Sequence, residues 1–179
     1  VGTGVSGMIP VIGLVAPSGS GKTTLLRQLV ALLHDRGIRV GYLKHAHHRF
    51  DLDVPGKDSF AIRAAGAAQT LLASRQRWAL QVEESAATAD PDLDAMLARF
   101  DTARLDLILV EGFKHARYSK IEVYRAALGQ PPLYSTDTDI IAVATADALP
   151  ITPHPLQLPL NDAPAIVDFI LGNIAGSAG

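Results

Sequence analysis

The sequence predicts an α/β fold, a mostly parallel sheet flanked by helices with a small hairpin insertion. Three observations carry this reading. An apolar run from Ile9 to Val15 leads through a glycine-rich turn into a helical pattern of Leu25, Leu26, Leu29, Leu32 and Leu33. A second run, Ile38 to Lys44, follows at the distance of a βαβ unit, whose strands run parallel. A third, Leu105 to Val110, is continuously apolar, as strands buried on both faces are.

The elements follow in order. The first helix spans Lys22 to Arg36, and Gly37 suits the position just past its end. From His45 to Lys57 the periodicity disappears into a polar, turn-rich loop; a loop of that length suits a lid over a ligand. A short helix is expected from Ser59 to Ala65, capped by Asp58. Gln69 to Ala73 and Trp78 to Val82 form the hairpin across Ser74-Arg75-Gln76-Arg77. Asp90-Pro91 is expected to open a helix carrying Leu93, Met96, Leu97 and Phe100 on one side. Ile121 to Tyr124 and Ile140 to Thr145 are two further strands, and Asp162 to Ile174 is a closing helix. Residues 1–7 read as a leader or an expression scar, 8–175 as one domain, and 176–179 as a flexible tail.

Composition bounds the function. The chain has 179 residues, 48% of them hydrophobic and 19% charged, which fits a folded domain with a substantial core. A formal net charge of -2 gives no global attraction to nucleic acid or anionic membrane, and neither is expected as a partner. The chain has no cysteine, which excludes disulfides and thiolate chemistry and fits the reducing cytoplasm. No apolar run approaches the roughly 20 residues that span a bilayer.

The turn Ala16-Pro17-Ser18-Gly19-Ser20-Gly21-Lys22-Thr23 sits between strand and helix, the context of a phosphate-binding P-loop. Small residues let backbone N–H groups converge on phosphate oxygens, and the helix start adds unpaired donors and a positive dipole end. Pro17, Ser18, Gly19, Ser20, Gly21, Lys22, Thr23 and Thr24 are therefore the expected phosphate contacts, with Lys22 on the β- and γ-phosphates and Thr23 on Mg²⁺. The usual pattern opens on Gly, and here that position is Ala16, where a methyl group at the strand end can be accommodated. Leu107-Ile108-Leu109-Val110-Glu111 resembles a Walker B strand, so Glu111 is expected to hold Mg²⁺ or orient water, alongside Lys22 in catalysis. Asp51 and Asp53, past the second strand, are further Mg²⁺ candidates. The guanine motif Asn-Lys-x-Asp is absent; Thr145-Ala146-Asp147 stands in its place, and Asp147 could accept bonds from guanine N1–H and its amine. Lys44 and His45, with His47 and His48, are expected to contact phosphate or substrate, since no distant Cys or His pair completes a zinc site.

Several segments together resemble one family. Ser18 to Leu25, Lys44-His45-Ala46-His47-His48, Pro55-Gly56-Lys57-Asp58-Ser59, Ala64 to Thr70, Arg75 to Leu80 and Leu105 to His115 are similar to the molybdopterin-guanine dinucleotide biosynthesis protein B (MobB) family. The blocks run from near residue 9 to about residue 125. The resemblance implies GTP and Mg²⁺ binding with weak hydrolysis, molybdopterin as a further ligand, a homodimer, and an accessory role beside the nucleotidyltransferase (MobA) that joins GMP to molybdopterin. The signature lysine of deviant P-loops would fall near Pro17 and is missing, so a lysine reaching across a dimer is not expected. A P-loop small-molecule or nucleoside kinase and a metallochaperone GTPase are the alternatives from other functional classes.

Overall fold

The computed structural model describes residues 9–46, 50–84 and 89–176. Their secondary structure is β1 (Val11–Val15), α1 (Lys22–Asp35), β2 (Val40–Lys44), α2 (Asp58–Ala64), β3 (Gln69–Ala73), β4 (Trp78–Val82), α3 (Leu93–Leu97), β5 (Leu107–Glu111), β6 (Lys120–Val123), β7 (Ile140–Thr145), β8 (Leu156–Pro159) and α4 (Ala163–Gly176). These form two compact units: residues up to His45 with those from Asp92 onward, and Ala46–Pro91.

The first unit is built on a six-stranded sheet in the order β2-β5-β1-β6-β7-β8, with every neighbouring pair parallel. The alternation of side chains across β1 gives the sheet two different faces. Ile12 and Leu14 point to the face covered by α1 and α4, where Leu25, Leu26, Leu29 and Leu33 meet Ile166, Val167 and Ile170. Burying each such side chain contributes roughly 1.5–3 kcal/mol, and this layer holds α1, and hence the turn that precedes it, against the sheet. The opposite face carries two smaller apolar clusters, Leu93 with Ile108, Val110 and Phe113, and Val15 with Tyr124, Tyr134 and Val143. It also carries a buried charge: the Lys120 ammonium donates to Asp137 at 2.8 Å and to the Lys114 carbonyl at 3.1 Å. Burial pushes the Asp137 carboxyl up, but the bonds from Lys120 and the Asp139 amide, with the charges of Lys120 and Arg117, together leave it below its ordinary value.

The second unit contains α2 and the antiparallel hairpin β3-β4 in the expected register, Ala73 opposite Trp78 and Gln69 opposite Val82. Leu71, Trp78, Leu80 and Val82 lie on one face of that hairpin and are all exposed.

Several boundaries differ from expectation, each for a local reason. β1 begins at Val11 because Pro10 has no N–H; its carbonyl instead accepts from Ile108 N. Asp58 is the first residue of α2 rather than its cap, and no side chain caps that helix. α3 is capped by Asp92, which accepts from Ala95 N at 2.9 Å, so Asp90-Pro91 precedes the helix instead of opening it. Asp162 caps α4 through Ala165 N at 3.0 Å and lies outside it, and Gly176 belongs to the helix rather than the tail. β8 has no counterpart among the expected strands; it is an edge strand of the sheet, where its terminal Pro159 is tolerated. The leader and residues 177–179 fall outside the described residues.

Candidate functional site

The glycine-rich turn lies at the carboxyl edge of the sheet, between β1 and α1. Ala16 is 2% exposed and belongs to the apolar layer under α1. A methyl group there adds buried contact, which accounts for Ala where Gly is usual. Gly19 and Gly21 take left-handed backbone angles, φ 79° and 86°, which other residues rarely adopt. The turn therefore curls back on itself before α1 begins. α1 has glycine at its cap position, no side-chain cap and no acid in its first turn. Its leading N–H groups and positive dipole end are left for an external anion. Ser20 is buried, and its hydroxyl has no partner among the described residues. An open side at Gly19, uncapped amides and an orphaned hydroxyl are the features that a bound triphosphate would complete.

Glu111 ends β5, level with Leu14 of β1 on one side and Lys44 of β2 on the other. It is 7% exposed, yet three polar groups surround it. The Lys22 ammonium stands 3.6 Å and the Lys44 ammonium 4.0 Å from Oε1, while the Tyr42 hydroxyl donates to Oε2. Partial burial and that bond hold the Tyr42 phenol well above its ordinary range. The central lysine of the turn and the Walker B-like acid are thus brought together. One carboxylate compensates two ammonium groups, so the cluster carries a surplus positive charge suited to phosphate.

The turn after Glu111 fixes His45. Gly112 has φ 95°, and a Cβ there would lie 2.8 Å from the His45 Cβ; Phe113 follows at φ 49°. His45 N donates to the Glu111 carbonyl at 2.9 Å, and its ring lies 4.8 Å from that of Phe113. Phe113, a bulky residue at positive φ beside a strand end, is a strained position of the kind that clusters at functional edges.

Asp147 follows β7. One carboxylate oxygen accepts from Ala126 N at 2.8 Å, its own N–H donates to the Thr145 hydroxyl, and its carbonyl accepts from Gln157. It therefore ties the ends of β6 and β7 together at the same sheet edge. Thr23 and Thr24 are exposed on the first turn of α1, and Pro17 and Ser18 line the turn. Asp51 and Asp53 belong to the second unit, where Asp51 pairs with Arg63 and Asp53 accepts from Val54 N. His47 and His48 lie outside the described residues. Among the described residues no three His, Asp or Glu side chains converge as a metal site.

Two contacts were absent from the sequence reading. Tyr42 lies two residues before Lys44 on β2, and period-two alternation puts both on the side that meets Glu111. Arg125, just past β6, donates from Nε to the Ser20 carbonyl at 2.7 Å. No local pattern signals that bond, which joins residues 105 positions apart.

Residues 11–146 match the family described as molybdopterin guanine dinucleotide synthesis protein B. The chain belongs to that family. The matched span contains the glycine-rich turn, Lys44, His45 and Glu111 and stops one residue before Asp147. It also runs beyond the blocks that carry the resemblance, which end near residue 125. Relatives include the molybdopterin-guanine dinucleotide biosynthesis adapter protein of Escherichia coli, 47% identical over 92% of this chain and 93% of its own length. The adapter protein of Haemophilus influenzae is 41% identical over 93% and 90%. Among solved structures, a molybdopterin-guanine biosynthesis protein B superposes with a TM-score of 0.70 at 27% identity, covering 92% of this chain and 99% of that one. A MobB homologue from Bacillus stearothermophilus gives 0.66 at 26% identity, covering 93% and 98%. The six-stranded parallel sheet with its flanking helices is thus the architecture of this family.

Proposed function

We propose that the protein binds GTP–Mg²⁺ at the P-loop, hydrolyses it weakly, and acts as an adapter in molybdopterin guanine dinucleotide synthesis, beside a MobA-type nucleotidyltransferase. The observation that carries the nucleotide reading is the convergence of Lys22 and Lys44 on the buried Glu111 at the end of β5. The adapter role rests on family membership.

Lys22 exchanges Glu111 for the β- and γ-phosphates, and Lys44 adds a second ammonium at the same edge. The Thr23 hydroxyl and the Glu111 carboxylate would hold Mg²⁺, which supplies charge neutralisation on the phosphates. Tyr42 keeps one Glu111 oxygen engaged, so the other is presented in a fixed direction. Asp147, on the loop after β7, is the base-reading candidate in this scheme. Molybdopterin is a second ligand in the same reading.

The reading includes a homodimer. The hairpin face of Leu71, Trp78, Leu80 and Val82 is apolar, with Trp78 64% and Leu71 63% exposed in the single chain. A second copy of the same face would bury it. Sedimentation of Trp78→Asp is expected to shift a dimer toward monomer, and a monomeric unmutated chain would refute this part.

Calorimetry with GTP–Mg²⁺ and ATP–Mg²⁺ tests the nucleotide. GTP is expected to bind more tightly, with turnover far below the roughly 1–100 s⁻¹ of kinases. Equal affinities, or turnover that rises steeply with a small-molecule acceptor, would favour a kinase. Adding the chain to a MobA-type transferase is expected to raise the yield of guanylylated cofactor.

A further inference from the structure

We infer that Arg125 is a positioning residue of the phosphate site, acting through the Ser20–Gly21 peptide. This rests on the nucleotide reading above. The guanidinium Nε donates to the Ser20 carbonyl at 2.7 Å, and a Cβ at Gly21 would lie 3.4 Å from Nη2. The guanidinium therefore sits against one side of this peptide. A trans peptide is planar, with its C=O and N–H pointing in opposite directions. Holding the Ser20 carbonyl toward Arg125 turns the Gly21 N–H away from it.

The lock matters because this peptide is otherwise easy to flip. Gly21 at φ 86° and Gly19 at φ 79° flank Ser20, and glycine accepts either sign of φ with little strain. A flipped peptide would present a carbonyl to an anion in place of a donor. Arg125 itself is rooted: it follows the buried end of β6, and the next amide, Ala126 N, donates to Asp147. The anchor is thus fixed to the sheet, while the element it steadies is a turn with glycines at positive φ on either side of Ser20. Arg125 forms no ion pair among the described residues, so its charge also adds to the attraction for an anion.

The test uses calorimetry of the unmutated chain, Arg125→Ala and Arg125→Lys with magnesium tripolyphosphate and GTP–Mg²⁺. Arg125→Ala is expected to weaken both ligands by the same factor, about 10- to 100-fold for a lost charge-assisted bond. Arg125 is exposed but its bond to Ser20 is present without ligand, so melting without ligand should fall by only a few degrees while the fold is retained. Arg125→Lys keeps the charge but not the planar fork and should leave most of the loss in place. The Gly21 amide resonance should move in Arg125→Ala before any ligand is added. Unchanged affinity in Arg125→Ala, a loss confined to GTP, or full recovery by Arg125→Lys would overturn the proposal while leaving the nucleotide reading intact. If the unmutated chain bound neither ligand, both would fall. Should Arg125→Ala fail to fold, Arg125→Lys decides alone: full affinity overturns, reduced affinity supports.

Discussion

Glu111→Gln should raise triphosphate affinity when Mg²⁺ is withheld and slow hydrolysis when it is present. Without ligand, Glu111 occupies the Lys22 ammonium that the triphosphate needs. Two unit charges 3.6 Å apart attract by about 5 kcal/mol at an effective dielectric near 20. Desolvation offsets much of this, and the side chains of Lys22 and Glu111 are 17% and 10% exposed. That places the pair between exposed pairs, worth about 0–1 kcal/mol, and fully buried ones, whose disruption costs about 3–5 kcal/mol. A net of about 1–2 kcal/mol is about 5- to 30-fold in affinity. Lys44 reaches the same oxygen at 4.0 Å and is freed by the same substitution. Gln keeps the shape and can still accept the Tyr42 hydroxyl, so the fold is retained. The assay is titration calorimetry with GTP in the presence of a chelator, followed by single-turnover hydrolysis with Mg²⁺. Equal or weaker binding by Glu111→Gln in chelator would refute the pairing argument, and unchanged hydrolysis would remove Glu111 from the chemistry.

Three further outcomes are expected. Lys22→Ala should lose most triphosphate affinity while its circular dichroism and melting stay close to the unmutated chain, since Lys22 lies outside the apolar layer; unaltered GTP binding would contradict the P-loop assignment. Asp147→Ala should narrow the preference for GTP over ATP and also lower stability by about 1 kcal/mol, because Ala126 N loses its acceptor; a preference left intact would assign base reading elsewhere. Arg39 donates twice from its side chain and once from its backbone to Asp106, holding that carboxyl at about 2 against an ordinary 3.8. The folded state therefore binds this proton less readily than the unfolded one, so the contribution is complete above about pH 4 and fades as pH falls toward 2. Urea midpoints of the chain and of Asp106→Asn should differ at neutral pH and converge in acid, and a gap independent of pH would refute the linkage.

The sequence alone determined what adjacent residues can specify. The glycines, lysine and threonines between an apolar run and a leucine-periodic helix fix a strand-turn-helix unit, because each requirement is met within a few positions. The hairpin was legible to the residue for the same reason: Trp78 to Val82 and Gln69 to Ala73 sit either side of a four-residue polar turn. Helix starts were less legible: Asp58 lies inside α2 rather than capping it, and the caps of α3 and α4 are Asp92 and Asp162, not the helix openings expected at Asp90 and Asp162. What only tertiary structure decided is which distant residues share the carboxyl edge of the sheet. The order β2-β5-β1-β6-β7-β8 places β5 between β2 and β1, and that insertion brings Tyr42 and Lys44 to Glu111 on one side and Lys22 on the other. The same ordering sets β6 beside β1 and delivers Arg125 to Ser20. Strand order in a parallel sheet is set by which apolar faces pack together across long crossovers. Periodicity reports that a face is apolar, not which neighbour will cover it.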